Sequence, residues 1–235
     1  MTRAPTRPDV RLYLVTDPLL LGGRDLAEVV LAAVEGGATL VQLRDKRASD
    51  EEFLAQAARL QAALAPTGVP LLLNDRVHLA ARLGLGAHVG PQDLAVAQAR
   101  ALLGPEAWLG VSLKHPLDPI PAGVDYIALG PAYTTQTKTD TPPPQGVEPY
   151  RQLRARTSLP FVAIGGISAS NLAPLAEVGV DGVAVVSAIM GARDPRAAAR
   201  GCREAWERAS FSWGTGSPKP PDFLEILGDK VPQTP

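Results

Sequence analysis

This 235-residue chain contains a single cysteine, Cys202, so it cannot form an internal disulfide bond. No apolar run reaches the length needed to cross a membrane. The formal net charge is −1 and there is no basic stripe, which argues against nucleic-acid binding as the main activity. Residues 1–9 contain Arg and Pro but no apolar core, unlike a secretory signal. These absences predict a cytoplasmic protein.

The motifs of several enzyme classes are missing as well. The histidines His78, His88 and His115 do not have the spacing of metal ligands, and we expect His78 and His88 to be structural. Without a Gly-x-Ser-x-Gly elbow or a cysteine pair, the sequence supports neither a nucleophilic hydrolase nor a zinc site. No Gly-x-Gly-x-x-Gly motif follows the first predicted strand, so a dinucleotide-binding fold is not indicated.

What the sequence does contain is a repeated pattern of a short apolar run, a polar tip and a helix. The eight predicted strands cover residues 11–16, 40–44, 70–73, 87–89, 108–111, 125–129, 160–164 and 182–186. The predicted helix boundaries are Asp25 as the cap of the first helix, Ser49 with Glu52 as a capping box, Ser168 or Ser170 as the cap after strand seven, and Arg208 near the end of the last helix. Alternation of this kind predicts right-handed βαβ units and an α/β fold, a (β/α)8 TIM barrel, with a doubly wound open sheet as the alternative.

Two regions depart from the regular pattern. Pro116, Pro119 and Pro121 follow the fifth strand, so the helix there is predicted to be shortened or absent. From the extent of the repeated pattern we expect a barrel domain at 11–210, preceded by a flexible N-terminus at 1–10. The remaining residues, 211–235, are rich in Pro and Gly and are predicted to form a tail.

The second predicted strand ends in three polar side chains, Gln42, Arg44 and Lys46. In an extended segment, alternate residues share one face, so all three point the same way. The planar guanidinium and the ammonium suit phosphate oxygens. The alternative is a salt bridge with a neighbour such as Asp45. We expect an anion site at the carboxyl end of this strand.

The next two strands end in acidic residues, Asn74-Asp75 and Asp93. Two carboxylates at adjacent strand ends repel each other, and a hard divalent cation removes that conflict. Each aspartate also precedes a predicted helix, so N-capping is the alternative for either one. Beside a basic tip, the pair predicts Mg2+ bound by Asp75 and Asp93 together with a diphosphate.

Strands six to eight end in small, neutral residues. The sixth strand leads into a loop with Thr134, Thr135, Thr137 and Lys138, a set that suits an anion-binding lid. Gly165-Gly166 and Val186-Ser187 follow strands seven and eight, where barrel enzymes commonly bind phosphate. These tips predict a second phosphate site.

Over residues 12 to about 208 the chain resembles the thiamine-phosphate synthase family. The matching segments are Tyr13-Leu14-Val15-Thr16-Asp17, Val41-Gln42-Leu43-Arg44-Asp45-Lys46, Leu73-Asn74-Asp75-Arg76, Gly86-Ala87-His88-Val89-Gly90, Gly110-Val111-Ser112, Asp125-Tyr126-Ile127, Gly130-Pro131-Ala132-Tyr133-Thr134-Thr135-Gln136-Thr137-Lys138, Ala163-Ile164-Gly165-Gly166-Ile167 and Ala184-Val185-Val186-Ser187-Ala188-Ile189.

The resemblance implies an enzyme that joins 4-amino-5-hydroxymethyl-2-methylpyrimidine diphosphate to 4-methyl-5-(2-hydroxyethyl)thiazole phosphate, after the carbon–oxygen bond of the pyrimidine has broken. The site residues that it implies fall into four groups: Asp75 and Asp93 for Mg2+; Arg44, Lys46, Asn74 and Lys138 for the diphosphate; Gln42 and Ser112 for the pyrimidine; Thr135, Thr137, Gly166, Val186 and Ser187 for the thiazole phosphate. Among these, Arg44, Lys46, Ser112 and Lys138 are the expected catalytic residues. The partners are small molecules, with a homo-oligomer possible.

Two segments depart from the family pattern. Pro91-Gln92 replaces its Gln-Glu, and Leu113-Lys114-His115 replaces its usual Thr-His-Ser. The alternatives are a thiazole tautomerase, which needs a proton-transferring residue near strand five, and a non-catalytic barrel that binds a thiamine precursor. The acidic pair and Lys138 favour the synthase, because binding alone does not need the leaving-group residues.

Overall fold

The computed structural model describes residues 8–135 and 144–214. Eight parallel strands close into a barrel in chain order, with each strand hydrogen-bonded to the next and β8 to β1. The strands are β1 Leu12–Val15, β2 Leu40–Leu43, β3 Leu71–Asn74, β4 Gly86–Val89, β5 Leu109–Leu113, β6 Tyr126–Leu129, β7 Phe161–Ile164 and β8 Gly182–Val185. The predicted (β/α)8 barrel is confirmed, and the open sheet is excluded.

Helices connect the strands on the outside of the barrel. They are α1 Leu26–Glu35, α2 Asp50–Leu64, α3 Val77–Leu83, α4 Val96–Leu103, α5 Glu148–Arg154, α6 Ala173–Glu177, α7 Ser187–Met190 and α8 Pro195–Gly214, with 3-10 turns at Pro18–Leu20 and Ala65–Thr67. The connection from β5 to β6 contains no helix, as its three prolines predicted. The described helices include none that is long and apolar enough to cross a membrane.

Local capping explains where several helices begin. Asp25 accepts hydrogen bonds from the backbone N–H groups of Ala27 and Glu28 and so caps α1. Ser49 and Glu52 form the predicted capping box of α2. These two sequence signals are local, and the structure confirms both.

Three other helix boundaries differ from the sequence prediction. The expected cap of α6 by Ser168 or Ser170 is wrong, because these hydroxyls bond to each other at 2.9 Å and the helix begins only at Ala173. The short α7 directly after β8 was not predicted. The last helix extends to Gly214, beyond the expected end near Arg208.

The barrel has two separate apolar layers. The larger one lies between strands and helices, and the smaller one fills the interior with residues such as Tyr13, Leu40, Leu72 and Tyr126. Gly110 pairs in register with Tyr126, and a Cβ at position 110 would overlap the Tyr126 ring. The glycine thus makes room for a buried tyrosine inside the barrel.

Candidate active site

Three charged residues that the sequence singled out meet at the carboxyl ends of β2, β3 and β4. Lys46 Nζ lies 3.2 Å from Asp75 Oδ2. The carboxyl groups of Asp75 and Asp93 are hydrogen-bonded to each other. The structure therefore brings Lys46, Asp75 and Asp93 into one cluster, although the two aspartates are 18 positions apart in sequence.

Backbone geometry directs both aspartates into this cluster. Asp75 is in the left-handed region with φ 62°, and its N–H donates to the carbonyl oxygen of His88 at 2.9 Å. Asp93 accepts a 2.6 Å hydrogen bond from the N–H of Gly90. Neither carboxylate caps a helix: α3 and α4 have Arg76 and Ala95 at their N-caps, with no side-chain hydrogen bond. The capping alternative is therefore excluded for both.

The two carboxyl groups titrate as a pair. Burial raises the pKa of Asp75, and the adjacent Asp93 carboxylate raises it further. Burial acts in the same direction on Asp93, but hydrogen bonds from Asp75 and the Gly90 N–H, with the positive charge of Lys46, leave the pKa of Asp93 lowered. The opposite directions of the two pKa shifts are expected of two carboxyl groups in contact, because they cannot both be ionised without repulsion. A divalent cation would relieve the same repulsion.

The carboxylates of Asp75 and Asp93 are the type of ligand that Mg2+ prefers. Mg2+ prefers carboxylate oxygens and usually takes only one or two carboxylates, with water and substrate phosphate completing its coordination. Among the described residues there is no group of three or more His, Cys, Asp or Glu that could hold a metal. A pair of aspartates beside a lysine is suited to an ion that arrives with a phosphate.

The other residues predicted for this side lie on or directly after β2 and β3. Arg44 follows β2 and is half-buried; within the described part of the chain its guanidinium makes no ion pair. Asn74 ends β3 and is paired in register with His88. Within the described residues the alternative interpretation, a salt bridge of Arg44 or Lys46 with Asp45, is not found. Lys46 pairs with Asp75, and Asp45 accepts from the backbone of Arg47 and Ala48.

A chain of hydrogen bonds crosses the barrel interior below the charged cluster. Gln42 Nε2 donates to the Tyr13 hydroxyl, which lies 2.9 Å from the Tyr126 hydroxyl. Tyr126 Oη is 2.8 Å from His88 Nδ1, and His88 Nε2 is 2.8 Å from Ser112 Oγ. Five strands thus contribute to one network that joins two predicted site residues, Gln42 and Ser112.

Sequence reasoning missed the middle of this network. We expected only a structural role for His88 and gave no role to Tyr13 or Tyr126. A usable signal was present, because Gly86, His88 and Gly90 alternate along β4 as Gly110 and Ser112 do along β5. Small residues two positions before a polar one mark an interior face with room for polar side chains. Burial lowers the pKa of His88 to about 4, so the ring is neutral at pH 7.

A cavity of about 250 Å³ opens beside Ser112. Its lining includes Gly90, Asp93, Val111, Asp118 and Pro121. The proline-rich connection after β5 therefore forms one wall of the space between the acidic pair and the interior network. Asp118 shapes that wall by accepting hydrogen bonds from the backbone N–H groups of Lys114 and His115.

The opposite side of the barrel mouth is built from backbone. Gly165 and Gly166 have positive φ values of 102° and 66°. A Cβ on Gly166 would overlap the carbonyl oxygen of Thr134, so the loop after β7 packs directly on the loop after β6. This contact places Gly166 near Thr135, and Val186 and Ser187 follow β8 at the start of α7. Thr137 and Lys138 lie outside the described residues.

Comparisons with known proteins agree with this geometry. A family described as thiamine monophosphate synthase matches residues 12–189. A thiamine-phosphate synthase of Albidiferax ferrireducens is 49% identical over 199 residues, covering 83% of this chain and 91% of that protein. One from Syntrophomonas wolfei is 46% identical over 204 residues, covering 85% and 98%.

A solved structure shows the same architecture. The thiamine phosphate pyrophosphorylase from Pyrococcus furiosus superposes with a TM-score of 0.77 at 31% identity, covering 86% of this chain and 98% of that one. The family match over residues 12–189 spans all eight strands of the barrel. By sequence and by structure, the chain belongs to the thiamine monophosphate synthase family.

Proposed function

We propose that this chain joins 4-amino-5-hydroxymethyl-2-methylpyrimidine diphosphate to 4-methyl-5-(2-hydroxyethyl)thiazole phosphate, releasing thiamine phosphate and diphosphate. Membership of the family supports the reaction class. The contact among Lys46, Asp75 and Asp93 is the observation that carries the proposal. A basic and an acidic group in one cluster suit a diphosphate that binds together with a cation.

The proposed cofactor is Mg2+, held by Asp75 and Asp93. When bound, it would stabilise the negative charge that builds on the diphosphate as the carbon–oxygen bond breaks. Burial and the Asp93 carboxylate raise the pKa of Asp75, so a proton and Mg2+ would compete for the same carboxylate oxygens. This competition predicts weaker Mg2+ binding as the pH falls.

The side chains around the acidic pair would bind and orient the diphosphate. Lys46 contacts Asp75 and so lies beside the proposed metal. The Arg44 guanidinium, which has no ion pair among the described residues, offers two parallel donors. Asn74, at the end of β3, adds an amide beside them. Lys138, from the loop after β6, is proposed to bind the same leaving group.

The interior face below would hold the pyrimidine. Gln42 is buried and Ser112 lines the cavity next to Asp93. A dissociative reaction needs no base before the bond breaks, and the neutral His88 is consistent with that. Enclosure by the barrel would exclude water, which otherwise captures the pyrimidine cation.

The thiazole phosphate would bind at the carboxyl ends of β6 to β8. Gly166 allows close approach of the backbone, and its neighbours can donate N–H groups to phosphate oxygens. The residues proposed for this phosphate are Thr135, Thr137, Gly166, Val186 and Ser187. Because their contribution is neutral, this site would hold an anion whose charge does not change during the reaction.

Two other functions would leave different evidence. A thiazole tautomerase needs a proton-transferring side chain near the end of β5, where this chain has the exposed Lys114 and His115. A non-catalytic barrel would bind a thiamine precursor without turning it over. Neither function requires the contact between the acidic pair and Lys46, which is why we favour the synthase.

The deciding experiment incubates the purified chain with both substrates, with and without Mg2+, and measures thiamine phosphate and diphosphate. We expect equal amounts of the two products, formed only when Mg2+ is present. Isomerisation of a thiazole carboxylate phosphate without any pyrimidine would indicate the tautomerase, and binding without product would indicate the non-catalytic barrel. The cytoplasmic location and a homo-oligomeric state stay predictions from sequence.

A further inference from the structure

The hydrogen-bond chain inside the barrel has a direction, because it starts at Gln42 Nε2, an atom that can only donate. The Nε2 amide group of Gln42 carries two protons and no lone pair available to accept a hydrogen bond. The Tyr13 hydroxyl therefore accepts from Gln42. Tyr126, 2.9 Å away, is the other partner of this buried hydroxyl among the described residues, so the Tyr13 proton is satisfied only if Tyr13 donates to Tyr126. The Tyr126 hydroxyl then accepts from Tyr13 and donates to the ring of His88.

The direction of the chain fixes the tautomer of His88. Tyr126 donates to Nδ1, so that nitrogen carries a lone pair and not a proton. The single proton of the neutral ring then lies on Nε2, which is 2.8 Å from Ser112 Oγ. Ser112 accepts this hydrogen bond, and its own hydroxyl proton remains available to another partner. None of the five side chains is exposed, and within the described residues every buried polar side-chain atom except Ser210 Oγ has a partner.

We propose that Gln42, Tyr13, Tyr126 and His88 form a polarised relay that makes Ser112 a hydrogen-bond donor to the substrate. His88 is a positioning residue, since it acts on the substrate only through Ser112. The substrate atom that faces Ser112 must accordingly be an acceptor, such as a ring nitrogen or a diphosphate oxygen. The part of this inference that concerns substrate rests on the proposed function, whereas the tautomer of His88 does not.

The first test is nitrogen NMR of the full chain with 15N-labelled histidine and no substrate. The two ring nitrogens of a neutral histidine have widely separated shifts, and the pattern identifies which of them carries the proton. His88 is assigned as the signal that disappears in His88→Phe, with His78 and His115 as internal references. We expect the Nε2–H tautomer at neutral pH. An Nδ1–H tautomer or a doubly protonated ring would overturn the proposal.

The second test removes the donor that holds the tautomer. Tyr126→Phe removes the hydrogen bond to the Nδ1 lone pair of His88, so we expect the Nδ1 signal to shift. The matched control is Tyr150→Phe, which removes a buried hydroxyl that donates to Leu129 outside the relay and should leave His88 unchanged. If Tyr126→Phe does not fold, Tyr13→Phe tests the same relay one step further from the ring. Unchanged His88 signals in a folded variant would contradict the relay.

Kinetics separate positioning from a merely structural role. Tyr126→Phe should lower kcat about fivefold with little change in KM, as expected for one neutral hydrogen bond. In a Ser112→Ala background Tyr126→Phe should lower kcat by less than about twofold, because position 112 then has no hydroxyl for the relay to act on. Equal losses in both backgrounds would overturn the role of Ser112. If the unmodified chain forms no thiamine phosphate, the proposed function fails, while the NMR result still decides the relay.

Discussion

The two sides of the barrel mouth differ in the chemical groups that they present. The ends of β2 to β4 carry charged side chains, with Asp75 in contact with both Lys46 and Asp93. The ends of β7 and β8 carry the uncharged residues Gly165-Gly166 and Val186-Ser187. Both sides are proposed to bind phosphate groups, so the ligand type alone does not explain the difference.

The difference follows from what happens to each phosphate during the proposed reaction. The diphosphate gains negative charge as it leaves, and fixed charges stabilise that change most in the transition state. The thiazole phosphate keeps its charge throughout, so backbone donors suffice to hold it. In the proposed reaction, charged side chains therefore lie beside the phosphate whose charge changes, and glycines lie beside the phosphate that only has to be held.

The largest expected effect comes from the charged side. Asp75→Asn keeps the shape but removes one carboxylate from the pair, and kcat should fall by about a thousandfold. Asp50→Asn is the control, because Asp50 is an exposed acid that pairs with Arg76 and His78 away from the pair. Titration of activity with Mg2+ checks the cause: the variant should need much more metal. An undiminished kcat at ordinary Mg2+ would refute the acidic pair as the metal site.

A second prediction concerns the one charged residue proposed from the loop after β6. Lys138→Ala should lower turnover by about a hundredfold, while the affinity for thiazole phosphate changes little. The reason is that Lys138 is assigned to the leaving diphosphate and not to the second phosphate. Steady-state kinetics with binding of thiazole phosphate measured separately would check this. Equal losses in turnover and affinity would mean that Lys138 belongs to the backbone side.

A third prediction tests the backbone side. Gly166→Ala adds a Cβ at a positive φ, which costs about 1 kcal/mol, and overlaps Thr134, which adds roughly 1 to 3 kcal/mol. Gly68→Ala is a matched control, since Gly68 has φ 70° and open space around it. Denaturant unfolding of both variants isolates the cost of the overlap.

The same variant should also weaken thiazole phosphate binding, because the loops after β6 and β7 would have to separate. We expect KM for that substrate to rise about tenfold, with KM for the pyrimidine diphosphate unchanged. Similar changes in both substrates would show that the two sides do not act independently.

The smallest expected effect is at Ser187. If backbone groups bind the second phosphate, Ser187→Ala should raise KM for thiazole phosphate by less than about threefold, equivalent to one neutral hydrogen bond. Ser170→Ala, which removes an exposed hydroxyl from the loop before α6, serves as the control. A rise of a hundredfold would show that a side chain carries the site, and the contrast between the two sides would disappear.

The barrel itself could be predicted because its signals are local. Each strand is a short apolar run, and the prolines after β5 exclude a helix wherever the chain goes next. Ser49 with Glu52 and the single Asp25 determine helix starts through contacts within four residues. The predicted cap of α6 was wrong because Ser168 and Ser170 bond to each other. That contact depends on the path of the loop, which the local sequence does not determine.

The charged cluster was predicted from residue type, but its contacts were not. Spacing along the chain indicated that Asp75 and Asp93 lie at neighbouring strand ends, because parallel strands present their carboxyl ends together. It could not indicate the left-handed backbone at Asp75 that turns the carboxylate toward Asp93. The roles of Tyr13, Tyr126 and His88 depend on which residues face one another across the barrel, and no single strand contains that information.

The pairing of Gly110 with Tyr126 limits how this barrel can be altered. Any larger residue at 110 overlaps the ring at 126, so a single replacement there is blocked while the tyrosine remains. A smaller residue at 126 would open a void next to 110 and remove one link of the interior network. Redesign for a bulkier heterocycle must therefore exchange both positions together, and variant libraries that scan one site at a time will miss such solutions.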